Sequence, residues 1–306
     1  MKKISLITII FIFYISTIGF ALTEPISIHQ KLLALLPYKS AKISYLGPEG
    51  TYTQEACGKF FRKQGIYLPY KTVNETVKAL LDGESNYAVI PQENTIGGAV
   101  IDYVDTLIAQ TEVSVVGEVE LPINQNLLTL EQAKLSDIKT VYSHKQGIVQ
   151  GRDWLNKNIP NAKVIEVSST AEGAKMVSES KDVSCGAIAS VACAQVYGLS
   201  ILAESIQNNK NNKTRFYVLS KNKPSTNSSR RLAFVATGSA EYLPDLMRKM
   251  EELKMKLVTI HDRPEKTMLG KYHYLIECSN SNYEKYKKLI ENSSFTFRYL
   301  GSFNVK

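Results

Sequence analysis

The length, composition and charge of the chain exclude several classes of protein. Its 306 residues, 44% of them hydrophobic, suffice for two or three globular domains with sizeable cores. The net charge of +8 comes from lysines spread along the chain, which indicates a basic surface rather than a nucleic-acid-binding face. With four histidines and four cysteines, none of the cysteines in a C-x-x-C pair, the sequence shows no metal site.

The N-terminus has the pattern of a signal peptide. Two lysines precede an almost uncharged run over residues 4–20, which ends in small residues spaced as a signal peptidase requires. We therefore expect residues 1–21 to be removed on export to the periplasm or the medium. An uncleaved membrane anchor is the alternative, because the run approaches the length that spans a bilayer. Export permits disulfides, but Cys57 and Cys193 lie among alanines in helix-like stretches, which favours buried thiols.

After a lead-in over residues 22–41, predicted strands and helices alternate. In chain order they are strand 43–46, helix 53–61, strand 87–90, helix 100–109, strand 140–142, helix 146–156, strand 164–167, helix 170–178, strand 186–188, helix 190–196 and strand 216–219. This alternation predicts an α/β fold with a mostly parallel sheet that is covered by helices on both faces.

A separate small domain is predicted at the C-terminus. Residues 221–230 contain Pro, Ser, Asn and Lys and no aliphatic residue, a composition typical of a linker. The elements after it are strand 232–236, helix 242–254, strand 257–261, strand 272–277, helix 283–291 and strand 296–299. This βαββαβ order predicts a ferredoxin-like domain over residues 231–306.

Four of the strand-to-helix turns carry small polar residues suited to an anion. These turns are residues 47–53, 91–98, 143–146 and 168–170. Helix N-termini offer free N–H groups, and ligands of open α/β sheets bind at the carboxyl edge of the strands. Helix capping explains each turn alone, since Thr51 with Gln54, and Ser169 with Glu172, match capping boxes. Four such turns at one sheet edge predict a substrate with more than one carboxylate.

Two charged or titratable residues in these turns have more than one interpretation. His144 follows a strand, where it is suited to act as a base or to donate to a carboxylate, and equally to a structural role. Glu93 would repel an anionic substrate, so we expect it to orient neighbouring donors instead of contacting the anion.

Thr214, Arg215 and Phe216 lie where an Asn-rich loop over residues 208–212 meets the apolar run 216–219. That run is aromatic and β-branched, which predicts a strand. The triplet therefore places a hydroxyl and a fixed cation at the start of a strand. This pair suits an anionic substrate, although it is also common at an ordinary surface edge.

Together these residues resemble the prephenate dehydratase family over nearly the whole chain after residue 41. The matching motifs occur in order and are Gly47-Pro48-x-Gly50-Thr51-Tyr52, Pro91-x-Glu93-Asn94-Thr95 with Gly98, Ser143-His144-x-Gln146, Ser169-Thr170-Ala171-Glu172, Tyr197-Gly198-Leu199 and Asn212-x-Thr214-Arg215-Phe216. The resemblance implies a bilobed catalytic domain over residues 42–220, built like a type II periplasmic binding protein with its site between the lobes. It also implies that residues 231–306 are an ACT regulatory domain.

The resemblance further implies the reaction and the residues that carry it. Prephenate loses its ring hydroxyl as water and its ring carboxylate as carbon dioxide, giving phenylpyruvate for L-phenylalanine biosynthesis without a cofactor. Thr214 is then the expected proton donor to the leaving hydroxyl. Arg215 binds a carboxylate or orders the loop, and Phe216 packs beneath the site. The expected substrate pocket consists of Thr51, Glu93, Asn94, Thr95, Ser143, His144, Gln146, Ser169 and Thr170.

Two alternatives to this function stay open at the level of the sequence. Arogenate differs from prephenate by an amino group in place of the side-chain keto group, so it is an alternative substrate. An exported solute-binding or sensor protein without turnover would also use a bilobed fold and a signal peptide. That alternative requires neither the Thr214-Arg215-Phe216 triplet nor an ACT domain.

The C-terminal domain departs from the family at its effector motif. The family's Glu-Ser-Arg-Pro is replaced by His261-Asp262-Arg263-Pro264, and Glu241 stands at the start of the family's Gly-Ala-Leu stretch. Acidic side chains near a ligand carboxylate add repulsion. We therefore expect L-phenylalanine to be a weakened or absent effector, with the domain retained for assembly into a homodimer or homotetramer.

Overall fold

The structure, a computed structural model, describes residues 40–227 and 229–306, so the predicted signal peptide lies outside the described residues. The strands are β1 (Lys42–Leu46), β2 (Ile66–Tyr70), β3 (Tyr87–Asn94), β4 (Gly98–Ala99), β5 (Ser114–Pro122), β6 (Asn126–Thr129), β7 (Thr140–Ser143), β8 (Lys163–Glu166), β9 (Cys185–Ala189), β10 (Ser200–Ala203), β11 (Lys213–Ser220), β12 (Arg231–Ser239), β13 (Lys256–Pro264), β14 (Lys271–Ser279) and β15 (Thr296–Phe303). The helices are α1 (Tyr52–Phe60), α2 (Val73–Leu81), α3 (Ile101–Ala109), α4 (Lys145–Asn158), α5 (Thr170–Ser180), α6 (Val191–Tyr197), α7 (Leu243–Glu252) and α8 (Tyr283–Ile290).

Two lobes, each with its own mixed sheet, form residues 40–220. The first sheet has the order β2-β1-β3-β11-β5, with β4 paired to β3, and the second has the order β10-β6-β9-β7-β8. Strand β11 runs antiparallel to both of its neighbours, and β6 runs antiparallel to β9. The bilobed α/β fold is confirmed. The expectation of a single, mostly parallel sheet was wrong, because the chain leaves the first sheet after β5 and returns to it with β11.

The chain crosses between the lobes twice, and the two crossing segments run side by side. Ile123 N donates to Asn212 O at 2.9 Å, and Gln125 N donates to Gln207 Oε1 at 2.9 Å. These bonds tie the outgoing segment to the returning one. They therefore hold the lobes together at the base of the cleft between them.

The sequence pattern missed strands β2, β4, β5, β6 and β10 and helix α2, and the reason is identifiable for β2 and α2. Strand β2 contains Pro69, which reads as a strand breaker, but β2 is an edge strand, where proline is tolerated. Helix α2 has a cap signal in its sequence, since Glu75 N donates to Thr72 Oγ1 at 3.1 Å. A search for Thr-x-x-Glu before an apolar run would therefore have found this helix.

The C-terminal domain has the predicted βαββαβ order, which the structure confirms. Its antiparallel sheet runs β13-β14-β12-β15 and packs against the first lobe. Val235 and Leu275 of this sheet share one buried core with Val77 of α2 and Leu107 of α3. The last residue also pairs with β5, because Lys306 N donates to Glu118 O at 2.9 Å.

Two further properties of the described residues bear on the expectations above. All four cysteines are free and buried, which confirms the expectation of buried thiols at Cys57 and Cys193. Within residues 40–227 and 229–306, none of the helices has the length and apolar character that crossing a bilayer requires.

Candidate active site

A cavity of about 420 Å³ lies between the two lobes. The predicted site residues on its wall are Thr51, Asn94, His144, Gln146, Ser169, Thr170, Thr214 and Phe216. The sequence predicted that the four polar turns lie at one sheet edge, and this was wrong. Two of them belong to the first lobe and two to the second, so they face each other across the cleft. An elongated ligand with an anionic group at each end would contact both lobes at once.

The Thr214 hydroxyl is held in place by Asn94. Asn94 Nδ2 donates to Thr214 Oγ1 at 2.9 Å, across the pairing of β3 with β11. This bond occupies a lone pair of the hydroxyl oxygen, so the hydroxyl proton stays available to a ligand. Because the bond also stabilises negative charge on that oxygen, it makes the hydroxyl a better proton donor.

Asn94 is itself oriented by the turn that follows β3. Its Oδ1 accepts from Ile96 N at 3.0 Å and from Gly97 N at 2.9 Å, which leaves Nδ2 directed at β11. Thr95 does not line the cavity. Its Oγ1 accepts from Lys213 N and donates to Lys213 O, both at 3.1 Å, so it fastens the turn to the start of β11.

The second lobe presents two helix N-termini to the cavity. Gln146 N donates to His144 Nδ1 at 3.3 Å, so a neutral His144 carries its proton on Nε2, where it can donate to a ligand. Glu172 N donates to Ser169 Oγ at 3.0 Å, which is the cap predicted for α5. These caps leave free N–H groups near Thr170 at the cavity wall.

Two predicted features are placed differently from the expectation. Ser143 is fully buried and donates to Ile188 O at 2.7 Å, so its hydroxyl fastens β7 to β9 and does not reach the cavity. The capping box predicted at Thr51 was wrong. Thr51 Oγ1 donates to Leu46 O at 3.2 Å, while Gln54 Oε1 accepts from Gly50 N at 2.6 Å.

The cavity wall also contains polar residues that sequence reasoning missed. Lys71, directly after β2, adds a cation to the wall. Gln125 lies on a crossing segment, and its Nε2 donates to Gln150 Oε1 at 2.9 Å. Gln125 Oε1 is buried, and no donor to it is found in the described part of the chain. No local signal placed Lys71 or Gln125 at the site, because both positions depend on how the lobes are joined.

Arg215 lies on the opposite face of β11 from the cavity. Successive side chains of a strand point to opposite faces, so Thr214 and Phe216 line the cleft while Arg215 faces the C-terminal domain. Its guanidinium binds Glu118 through two bonds of 2.7 and 2.9 Å, Glu277 at 2.5 Å and Glu93 at 3.4 Å. Arg215 was expected to bind a carboxylate or to order the loop, and this geometry favours an ordering role, exerted on β11, over binding a substrate carboxylate.

Glu93 and Glu118 complete this ion cluster. Glu93 contacts Arg215 and not the cavity, in agreement with the expected orienting role. Burial raises the pKa of the Glu118 carboxyl to about 7, against the lowering effect of its bond to Arg215.

The predicted effector motif contacts the first lobe. Arg263 pairs with Asp105 of α3 through bonds of 2.5 and 3.0 Å. The His261 ring packs edge-on against Tyr103, 5.8 Å between ring centres, and its burial lowers the His261 pKa. Asp262 and Pro264 are exposed.

Comparison with known proteins identifies the family. A model of the prephenate dehydratase family matches residues 43–224, which is more than half of the chain. The chain belongs to the prephenate dehydratase family. This confirms the resemblance carried by the ordered motifs.

Two relatives and one solved structure illustrate the similarity to this family. The chain is 36% identical over 237 residues to a bifunctional chorismate mutase/prephenate dehydratase of Neisseria gonorrhoeae, covering 77% of the chain and 65% of the relative. It is 32% identical over 246 residues to a prephenate dehydratase of Lactococcus lactis, covering 78% and 87%. A prephenate dehydratase of Arthrobacter aurescens, solved in complex with L-Phe, superimposes with a TM-score of 0.77 at 26% identity, covering 86% of this chain and 90% of that one.

We predict that Glu118→Gln alters how stability depends on pH. A Glu carboxyl titrates near about pH 4.3 in the unfolded chain, and that of Glu118 near about 7 in the folded chain. Between these values the folded chain binds the extra proton, so the wild type loses stability as the pH rises through this interval. The glutamine of the variant has no carboxyl group, so it does not titrate in this interval. The variant should therefore lose less stability than the wild type as the pH rises through this interval.

Urea unfolding from about pH 5 to about pH 8 measures this difference. Glu120→Gln, two residues along the same strand, is the matched control for the substitution itself. Parallel stability curves for the Glu118→Gln variant and the wild type over this range would contradict the prediction.

Proposed function

We propose that the protein converts prephenate to phenylpyruvate, water and carbon dioxide. The observation that carries the proposal is the Asn94–Thr214 hydrogen bond, which presents an oriented hydroxyl to a polar cleft in a member of this family. The cleft supplies a proton donor, an anchor for the carboxylate that stays charged and an apolar surface for the carboxylate that is lost.

In the proposed reaction, Thr214 gives its proton to the ring hydroxyl as the ring carbon–oxygen bond breaks. The bond to the ring carboxylate breaks at the same time, and its electron pair enters the ring and makes it aromatic. Asn94 stabilises the negative charge that develops on Thr214 Oγ1, and water restores the proton afterwards. The acidity of a free threonine hydroxyl is low, so catalysis depends on this placement.

The two carboxylates have different requirements. The side-chain carboxylate stays charged throughout, and we assign it to the helix N-termini of the second lobe with the His144 Nε2–H group. The ring carboxylate loses its charge as carbon dioxide, which an apolar wall favours over a cation. Phe216, on the cavity wall and buried, offers such a surface next to Thr214.

Arogenate dehydratase activity is the second candidate function. The observation that favours it is Gln125 Oε1, a buried acceptor on the cavity wall with no donor in the described part of the chain. The ammonium group of arogenate would supply a donor to this oxygen, whereas the keto group of prephenate would not. Assays with each substrate in turn decide between the two.

We predict that Thr214→Ala lowers kcat by about 10²-fold or more, because the proton donor is lost. Thr214→Ser keeps the hydroxyl and should retain most of the activity, while Thr214→Val keeps the shape and should behave like the alanine variant. Ultraviolet detection of phenylpyruvate measures the rates. An unchanged rate in Thr214→Ala would remove Thr214 from this role. If the wild type binds but does not convert either substrate, the solute-binding alternative is correct.

We further propose that L-phenylalanine regulates this protein weakly. The Arthrobacter relative was solved with L-Phe, but here Arg263 is paired with Asp105, and His261 packs on Tyr103. Isothermal titration should therefore show a Kd no tighter than about 1 mM. Tight binding together with inhibited turnover would contradict this.

Light scattering on the same sample tests the proposed assembly into a homodimer or homotetramer. A mass equal to that of one chain would contradict this assembly.

Export is a separate proposal that rests on the N-terminal sequence. Lys2, Lys3 and the apolar run after them have the pattern of a signal peptide. We expect cell fractionation to find a shortened chain in the periplasm or medium. Full-length chain in the cytosol would overturn the proposal, and full-length chain in the membrane fraction would show an uncleaved anchor.

A further inference from the structure

Glu277 is a buried carboxylate that the C-terminal domain contributes to the first lobe. It lies on β14 and is 1% exposed. Its carboxylate contacts four side chains, which are Arg215 (Nη2, 2.5 Å), Tyr217 (OH, 2.6 Å), Gln92 (Nε2, 3.0 Å) and Arg231 (Nε, 3.3 Å). Three of these four donors lie on β3 and β11, the strands that carry Asn94 and Thr214.

The contact with Gln92 falls on an irregularity in the sheet. Thr214 pairs with Asn94 and Arg215 with Glu93, but Phe216 pairs with Pro91. Gln92 is therefore the extra residue of a β-bulge. A bulge interrupts the backbone ladder, and here the adjacent Pro91 has no N–H to restore it.

The side chain of Gln92 is fully buried, and its Nε2 donates to Glu277 Oε2. Glu277 thus holds the bulge through Gln92 and holds the facing strand through Arg215 and Tyr217. Regular pairing resumes at Glu93, one residue beyond the bulge, and this pairing brings Asn94 Nδ2 to Thr214 Oγ1. A shift of the bulge would move the proton donor relative to Asn94.

We propose that Glu277 is a positioning residue for the dehydration, acting through the bulge of β3 and through Arg215 to set the Asn94–Thr214 pair. The C-terminal domain then helps to set the geometry of the catalytic site, in addition to packing against the first lobe. This inference rests on the proposed function, since it specifies how that site is held.

Glu277→Gln tests the proposal with little change of shape. Arg215 keeps its two bonds to Glu118, so its charge is not left unpaired. The new side chain has one amide oxygen, so it cannot accept from Gln92 and Tyr217 and also from the arginines on the other side. We expect kcat to fall about 10-fold or more while KM stays within about twofold, because the donor is displaced and the anchors for the substrate are not.

Asp105→Asn is the matched control. It removes a second ion pair between the C-terminal domain and the first lobe, Arg263 with Asp105, without touching β3 or β11. It should leave kcat unchanged. An equal fall of kcat in Asp105→Asn and Glu277→Gln would show a general effect of docking and would overturn the proposal.

A milder variant covers the case in which Glu277→Gln does not fold. Gln92→Met removes only the bonded amide at the bulge and keeps the side chain's length. A lower kcat at unchanged KM supports the proposal, and an unchanged kcat in a folded Gln92→Met or Glu277→Gln enzyme overturns it.

A measurement that does not depend on turnover distinguishes a failure of this inference from a failure of the proposed function. The side-chain amide resonance of Asn94, assigned by its absence in Asn94→Asp, should move in Glu277→Gln and stay in place in Asp105→Asn. Lack of wild-type turnover, with the resonance moving as expected, would refute the proposed function and leave Glu277 as the residue that sets Asn94. An unmoved resonance would refute the positioning role, whatever the activity.

Discussion

The return of β11 into the first sheet, between β3 and β5, is the constraint on which the rest of the structure depends. It closes the base of the cleft, and the two faces of β11 contact different parts of the protein. Thr214 and Phe216 face the cleft and the α1 side of the sheet. Arg215 and Tyr217 face the C-terminal domain. Thr214 and the ion cluster around Arg215 are thus adjacent in sequence but lie on opposite faces of β11.

The ion cluster behind β11 shows how buried charges can fix the arrangement of strands while adding little to the free energy of unfolding. Glu118 and Glu277 are both buried, and each depends on Arg215 for compensation. Breaking such a pair from one side costs about 3–5 kcal/mol, although the intact pair adds little stability over an apolar contact. The cluster therefore disfavours any arrangement of β3, β11 and β14 in which these groups are not in contact, which suits a site whose chemistry depends on placement.

Much of the fold could be predicted because its signals are local. The strand and helix alternation, the βαββαβ order and the Ser169 cap all depend on residues a few positions apart. Strand β2 and the placement of β5 beside β11 were missed because they depend on the rest of the sheet. Pro69 reads as a breaker unless the strand is known to lie at an edge, and β5 and β11 cannot be assigned to one sheet without knowing that the chain returns. Of the twelve residues predicted for catalysis and substrate binding, eight lie on the cavity wall, while Ser143, Glu93, Thr95 and Arg215 lie behind it.

By itself, the sequence determined the family and Thr214 as the candidate donor, since ordered motifs record these directly, and it determined the βαββαβ order of the C-terminal domain. Only the tertiary structure decided which partners those residues have. Asn94 and Thr214 are 120 positions apart, and Arg215 and Glu277 are 62 apart. No periodicity or motif spans such separations. The direction in which Arg215 points follows from the pleat of β11 and from the domain that covers one of its faces. A residue named by a motif can therefore lie beside the reacting groups without touching them.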